Sequence, residues 1–392
     1  MKACGIFVPD DGSGFRAGFF GNIHCVTREP RIDIVRGIAI VTILLNHFAM
    51  AYRATGFGGW TIPTPTQLGY SSAATIFVAL SGYMVGLVYL RRPAPARAAL
   101  RRAAELYLVN VAVFLIVLPA APFVDPARDR FWYMQGLLAD PLHGVLRFLT
   151  LRDAPAFLDV LQLYVVLLLM TPIAIALLRR SRWLLAGVSL GLWAAIQLWP
   201  FVMPAGAPTP NIGRGMNALA WQMAFFLPMI AGAARLHEPL FAWFARRPLA
   251  LLPLLGALVV AAILHHVDPL LAPARIHLAL TSRAAHGPIW TAHALLLLTA
   301  YLGLLVWATP YLKALPFRLL ARLGRNSLAV YAASIPLIFA AALGIGGARA
   351  DGAGYITGMA LVLALSLAVA AWADRRKQRR RSAPATAALQ PA

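Results

Sequence analysis

Ten stretches of about 20 mostly apolar residues dominate this chain, each long enough to cross about 30 Å of hydrocarbon as a helix. They run roughly 34–53, 70–90, 103–121, 157–178, 183–200, 217–234, 248–267, 289–309, 326–345 and 355–373. In lipid, backbone polar groups must be satisfied internally, which leaves helices or closed barrels as spanning structures. The alternating strands of a barrel are missing from the sequence. The expected fold is therefore all-α, a polytopic membrane protein of about ten transmembrane helices. Two connections are longer than the rest, 122–156 and 268–288. In the first, Phe131–Leu138 and Val145–Leu151 read as short interfacial helices or a re-entrant piece.

Composition supports the same class. The chain is 60% hydrophobic and 12% charged, against about 45–50% and about 25% for soluble domains. Its net charge of +21 invites a nucleic-acid reading. Basic residues that punctuate apolar runs are topology signals instead, so no nucleic-acid partner is expected. With the N-terminus inside, the inner segments hold 26 of the 35 Lys and Arg. Both termini are thus expected to be cytoplasmic.

The domain reading is a flexible tail over 1–30, a membrane domain over 31–373 and a basic cytoplasmic tail over 374–392. The first 27 residues lack the apolar core of a signal peptide. The run Arg375-Arg376-Lys377-Gln378-Arg379-Arg380-Arg381 reads as a stop-transfer anchor on an anionic leaflet. Cys4 and Cys25 both lie in the N-terminal tail and supply no metal set. His265-His266 has only Asp268 nearby, so no metal site is expected. No internal repeat supports an inverted-repeat transporter.

Ionisable groups inside a membrane are costly and mark function by default. In the first span Asp33, Arg36, Gly37, Ile40, Leu44 and His47 share one helical face. Asp33 and Arg36 are spaced to pair, either at a site or merely as an anchor at the helix start. His47 lies about 16 Å beyond Arg36. An imidazole at that depth suits a general base for a hydroxyl nucleophile; a structural hydrogen bond is the plainer alternative. In the second span Gly82 and Gly86 read as close helix packing, while Ser81 and Tyr83 are placed to donate into a site or cap a helix break. Arg101 and Arg102, with Glu105 one turn on, open the third span, and such guanidiniums suit a phosphate-rich anionic donor. Asp159, Gln162 and Tyr164, then Asn217, Trp221 and Gln222, and finally His293 fall at outer ends. They fit a saccharide platform or ordinary interfacial anchoring.

At these residues the sequence resembles the OpgC family of bacterial inner-membrane proteins. The resemblance rests on Arg31-x-Asp33-x-x-Arg36-Gly37 with Asn46-His47, and on Ala73–Thr75 running into Phe77 and Ser81-Gly82-Tyr83. It extends through Leu158–Tyr164, Asn217–Gln222 and Leu323–Leu328, about 28–373 in all. The opening motifs also look like the wider acyltransferase-3 superfamily. The resemblance implies a multi-pass inner-membrane acyltransferase that moves succinyl or a similar group to hydroxyls of a periplasmic glucan. The donor implied is cytosolic acyl-CoA as co-substrate, with no permanently bound cofactor. Membrane lipid, the saccharide acceptor and periplasmic glucan-biosynthesis proteins are the implied partners. It also implies His47 as the catalytic residue and Arg101 and Arg102 on the donor. Two departures stand out: Ser72 and Thr75 occupy places where the family usually carries acidic residues, and Glu105 replaces an arginine usual in the superfamily. The rival readings are an O-acetyltransferase of a lipid-linked or surface polysaccharide, and a transporter or scaffold without chemistry.

Overall fold

The computed structural model describes residues 29–204, 209–211, 215–267 and 274–382. The readings placed on residues 1–28, including both cysteines and the tail, and on Asp268 lie outside the described residues. The described residues are mostly helical and contain no strand. Among the described residues nine helices are long and apolar enough to cross a membrane, or ten if one bent pair counts as a single span.

The helices are α1 (Pro30–Arg53), α2 (Ala73–Val88), α3 (Pro95–Val117), α4 (Asp159–Arg180) and α5 (Arg182–Val202). Next come α6 (Ala218–Ala233) and α7 (His237–Arg246), which meet at 79°. The remainder are α8 (Leu251–Val267), α9 (Pro288–Trp307), α10 (Leu315–Arg325), α11 (Ser327–Ala341) and α12 (Gly352–Ser382). Local chemistry starts α1 where it does. The Glu29 carboxylate accepts from the Arg31 amide at 3.2 Å, Pro30 occupies the first turn and Asp33 follows. Each of these favours a helix N-terminus.

Lipid tails are as apolar as leucine, so helices associate through close packing rather than hydrophobic burial. Two seams show it. On α2, Gly82 and Gly86 face the backbone carbonyls of Phe225 and Met229 on α6, where an added Cβ would sit 1.9 Å away in each case. The packing reading of that Gly-x-x-x-Gly is the correct one. On the second seam, a Cβ added to Gly37 of α1 would sit 2.0 Å from the Leu320 carbonyl oxygen, and one added to Gly324 of α10 would sit 1.8 Å from that of Asp33. At the periphery, α8 has no buried residue and presents Leu252, Val259, Val260 and Ile263 outward.

Three segments differ from the sequence reading. The inner loop 310–325 contains α10, an eleven-residue helix packed along α1. It carries Arg318, Arg322 and Arg325, which disqualify it as a span and hid it as a helix. The third span begins at Pro95 rather than 103, so Arg97, Arg101 and Arg102 are already helical. The last helix runs through the basic run to Ser382. Its first polar turn is docked: Asp374 accepts from Asn326 Nδ2 at 2.6 Å and pairs with Arg325 and Arg322 at 3.3 and 3.5 Å. Lys377 donates to Asn326 Oδ1 at 2.7 Å. The long connection 122–156 folds into short helices at Asp129–Trp132, Gln135–Ala139 and Pro141–Leu149.

Candidate functional site

Helices α1, α2, α3, α4 and α11 surround a cavity of about 200 Å³. Arg36, Ser81, Arg102, Tyr164, Ser327 and Tyr331 supply its polar lining. It reaches Val88 and Tyr89, where the chain leaves α2 for the basic loop. Arg36 projects from α1 and donates to Ser327 Oγ at 2.6 Å. Its guanidinium lies 5.9 Å from the Phe77 ring centroid. From α4, the Tyr164 hydroxyl donates to the Phe77 carbonyl at 2.6 Å and lies 2.8 Å from Ser81 Oγ. Arg102 pairs with Glu105 at 3.0 Å. Both groups are well exposed, so the pair is worth at most about 1 kcal/mol and leaves the guanidinium available.

Beyond this cavity stands an aromatic partition. The Tyr331 ring lines the cavity on one side and meets the His47 ring edge-on at 6.1 Å on the other. Its hydroxyl donates to the Phe157 carbonyl at 2.7 Å. Phe157 stacks on His47 at 4.1 Å and adopts a φ of +71°. A non-glycine residue held in the left-handed region stores strain that the surroundings must enforce, a pattern frequent at functional sites. His47 Nδ1 is buried and has no hydrogen-bond partner among the described residues. It is not the structural hydrogen bond to a neighbouring helix that the plainer reading expected.

On the His47 side lies a second charged group. Asp159, at the start of α4 and two residues beyond Phe157, pairs with Arg283 at 3.8 Å. Arg283 arrives on a loop that the flanking helices clamp by its backbone. Trp221 Nε1 donates to the Arg283 carbonyl at 3.0 Å, and the Asn217 amide to the Ala284 carbonyl at 2.9 Å. Gln197 and Trp193 hold the carbonyls of Ala285 and His286 at 2.6 and 2.8 Å. In the same loop, burial pushes the His286 imidazole down to about 4.

Thus Arg36, Arg102, Ser81 and Tyr164 share one cavity, with His47 behind the Tyr331 ring and Asp159 two residues beyond Phe157. Other residues singled out from the sequence do different work. Arg101 is exposed, one position out of phase with Arg102. The Tyr83 hydroxyl bonds to His237 Nδ1 and accepts from the His237 amide at 3.2 Å, holding α2 against the α6–α7 bend. Asp33 is buried in the seam with α10. Gln162 donates to the Asp153 and Phe148 carbonyls at 2.8 and 3.3 Å, sewing the long connection to α4. Gln222 exchanges two bonds with Ser189, at 2.6 and 2.7 Å, locking α5 to α6. His293 Nδ1 bonds to Ser71 Oγ at 2.7 Å and pins the turn ahead of α2. Thr75 accepts from Trp290 Nε1 at 3.0 Å, and Ser72 Oγ is buried without a partner among the described residues. The bonds from the Trp221 indole and the Asn217 backbone N–H position the loop that carries Arg283.

Arg283 and Tyr331 were missed in the sequence. Arg283 looked like one loop arginine among several, and Tyr331 like an ordinary aromatic within a span. Among the described residues no group of three or more His, Cys, Asp or Glu is placed to hold a metal.

The family model described as OpgC protein matches residues 28–378, nearly the whole membrane bundle. The chain belongs to the OpgC family. No curated protein and no solved structure matches it significantly. Membership points to a membrane acyltransferase-like function. In this OpgC chain the family match includes every residue of the cavity, the aromatic partition and the His47–Asp159–Arg283 side.

Proposed function

We propose that this chain is an inner-membrane O-acyltransferase that moves a succinyl group from cytosolic acyl-CoA to a hydroxyl of a periplasmic saccharide. The observation that carries the reading is the cavity itself. Two arginines on different helices, Arg36 and Arg102, share it, and one aromatic ring separates it from an imidazole without a hydrogen bond. Guanidiniums bind phosphate and carboxylate through charge-assisted, often bidentate bonds. Arg102 suits the phosphates of the donor, near the basic loop. Arg36, deeper, suits a carboxylate at the end of the acyl group, which favours succinyl over acetyl.

On this reading the acceptor hydroxyl meets His47 from the side of Asp159 and Arg283. Tyr331 swings off the Phe157 carbonyl and opens the partition. His47 takes the hydroxyl proton as the oxygen attacks the thioester carbon. The C–O bond forms, the C–S bond breaks, and the CoA thiolate leaves with the proton returned from His47.

Mass spectrometry of periplasmic and envelope glycans, from cells with and without the chain and with His47→Ala, tests the proposal. The expected result is a succinyl increment that is absent without the chain and reduced about 10²–10⁴-fold in the variant. An increment of acetyl would redirect the donor assignment. Full transfer by a correctly folded His47→Ala protein would remove His47 from the mechanism.

A further inference from the structure

One buried amide stands near the cavity without a polar partner. Asn110 lies mid-way along α3 and is fully buried, and neither its Nδ2 nor its Oδ1 has a hydrogen-bond partner among the described residues. A buried amide left unsatisfied at both ends carries the desolvation cost of both groups with nothing to offset it. Such a group in a native fold calls for a specific explanation, an absent ligand among them.

Its position supplies one. The buried residues of α3 form a single stripe: Ala99, Ala103, Leu106, Asn110, Val113 and Val117. Leu106 lines the cavity, as does Arg102 one turn before it. Asn110 is the next turn of the same stripe. Helical side chains lean toward the N-terminus of their own helix, so the amide tilts back toward Leu106 and the deep end of the cavity. This stripe packs against α4 and α11, the helices that carry Tyr164 and Tyr331 to the cavity wall. Asn110 stands about 12 Å along α3 from Arg102, and His47 about 16 Å along α1 from Arg36. Along the helix axes the amide therefore lies deeper than Arg102 and at a depth close to that of the imidazole.

We infer that Asn110 is a catalytic residue whose Nδ2 hydrogen-bonds the carbonyl oxygen of the acyl thioester and stabilises the oxyanion formed when the hydroxyl attacks. This rests on the acyltransferase reading. The reacting bonds are those given above: as C–O forms, the carbonyl electron pair moves onto the oxygen held by Asn110, and it returns as C–S breaks. A neutral amide suits the task because it supplies an aimed N–H in a water-poor interior without bringing a charge there.

The test uses purified full-length protein in liposomes, with ¹³C-succinyl-CoA as donor and periplasmic glucan extract as acceptor. Asn110→Leu keeps the volume and removes the amide. Its stability should equal or exceed that of the unmodified protein, because an unsatisfied polar group is gone. Its kcat should fall about 10²–10³-fold, as for loss of one oxyanion donor, with KM for succinyl-CoA nearly unchanged. Asn110→Gln, which retains the amide but moves it by one methylene, should also lose kcat; it decides the matter if the leucine variant fails to fold. Either folded variant turning over at the unmodified rate, or losing only KM, overturns the assignment of Asn110 while leaving the acyltransferase reading intact. Absence of transfer by the unmodified protein under these conditions overturns both.

Discussion

Replacing Gly324 with alanine should damage this protein through a contact that carries no charge and no chemistry. The new Cβ would stand 1.8 Å from the Asp33 carbonyl oxygen, whereas ordinary contact begins at 3.4 Å, so the α1–α10 seam must open by about 1.6 Å. Neither side has a flexible end that could move aside, since the neighbouring atoms are backbone on both helices. Overpacking of this kind costs typically about 1–3 kcal/mol. The damage should also reach the cavity. α10 leads through Asn326 into Ser327, which holds Arg36 at 2.6 Å; an opening of about 1.6 Å takes that bond past the usable range of about 3.2 Å. Gly187 and Gly256 provide matched controls, because both are helical and a Cβ there meets nothing within 4 Å. Alanine at either should stabilise by up to about 1 kcal/mol through helix propensity. Thermal unfolding of the three variants in one detergent, followed by tryptophan fluorescence, should show Gly324→Ala melting clearly below the original and both controls at or above it. Equal melting temperatures for Gly324→Ala and Gly256→Ala would refute the close-approach argument.

Two further outcomes are expected. His286 is neutral when folded, with its imidazole pushed down to about 4 by burial, so the unfolded chain binds the proton more readily between that value and about 6.5. Stability should be level above pH 6.5 and fall as the pH drops toward 4, by about 3 kcal/mol in total; a pH series of unfolding curves should show His286→Gln flattening that slope, and an unchanged slope would count against it. Gln222→Ala removes both bonds to Ser189 and leaves a buried hydroxyl orphaned, which should cost about 2 kcal/mol; a melting temperature within error of the original would show that α5 is held some other way.

The span pattern was readable because lipid imposes a single length on every crossing helix. What escaped was structure that lipid does not dictate. α10 is short and arginine-bearing, so nothing in its hydropathy distinguishes it from a loop; only Gly324, meaningful once paired with Gly37, betrays the packing. Site residues were legible where an ionisable or hydroxyl group interrupts an apolar run, as with Arg36, His47, Ser81 and Tyr164. They were illegible where helix phase decides. Arg101 and Arg102 are adjacent in sequence and about 100° apart on the helix, so only one can face inward, and the true start at Pro95 settles which. Trp221 and Asn217 have side chains suited to sugar, yet the Trp221 indole and the Asn217 backbone N–H donate to carbonyls of a loop some 60 residues away, which no local pattern encodes.

The aromatic partition has a consequence for the membrane as a whole. A continuous row of arginines, hydroxyls and an imidazole from one face to the other would conduct protons and small ions if water filled it. Tyr331, packed with Phe77 and Phe157, interrupts that row with rings, and a narrow ring-lined constriction expels water. On the acyltransferase reading proposed above, the partition lets the protein hold reagents drawn from both faces while keeping the bilayer electrically tight, and a variant such as Tyr331→Ala is to be watched for leakage before it is assayed for chemistry.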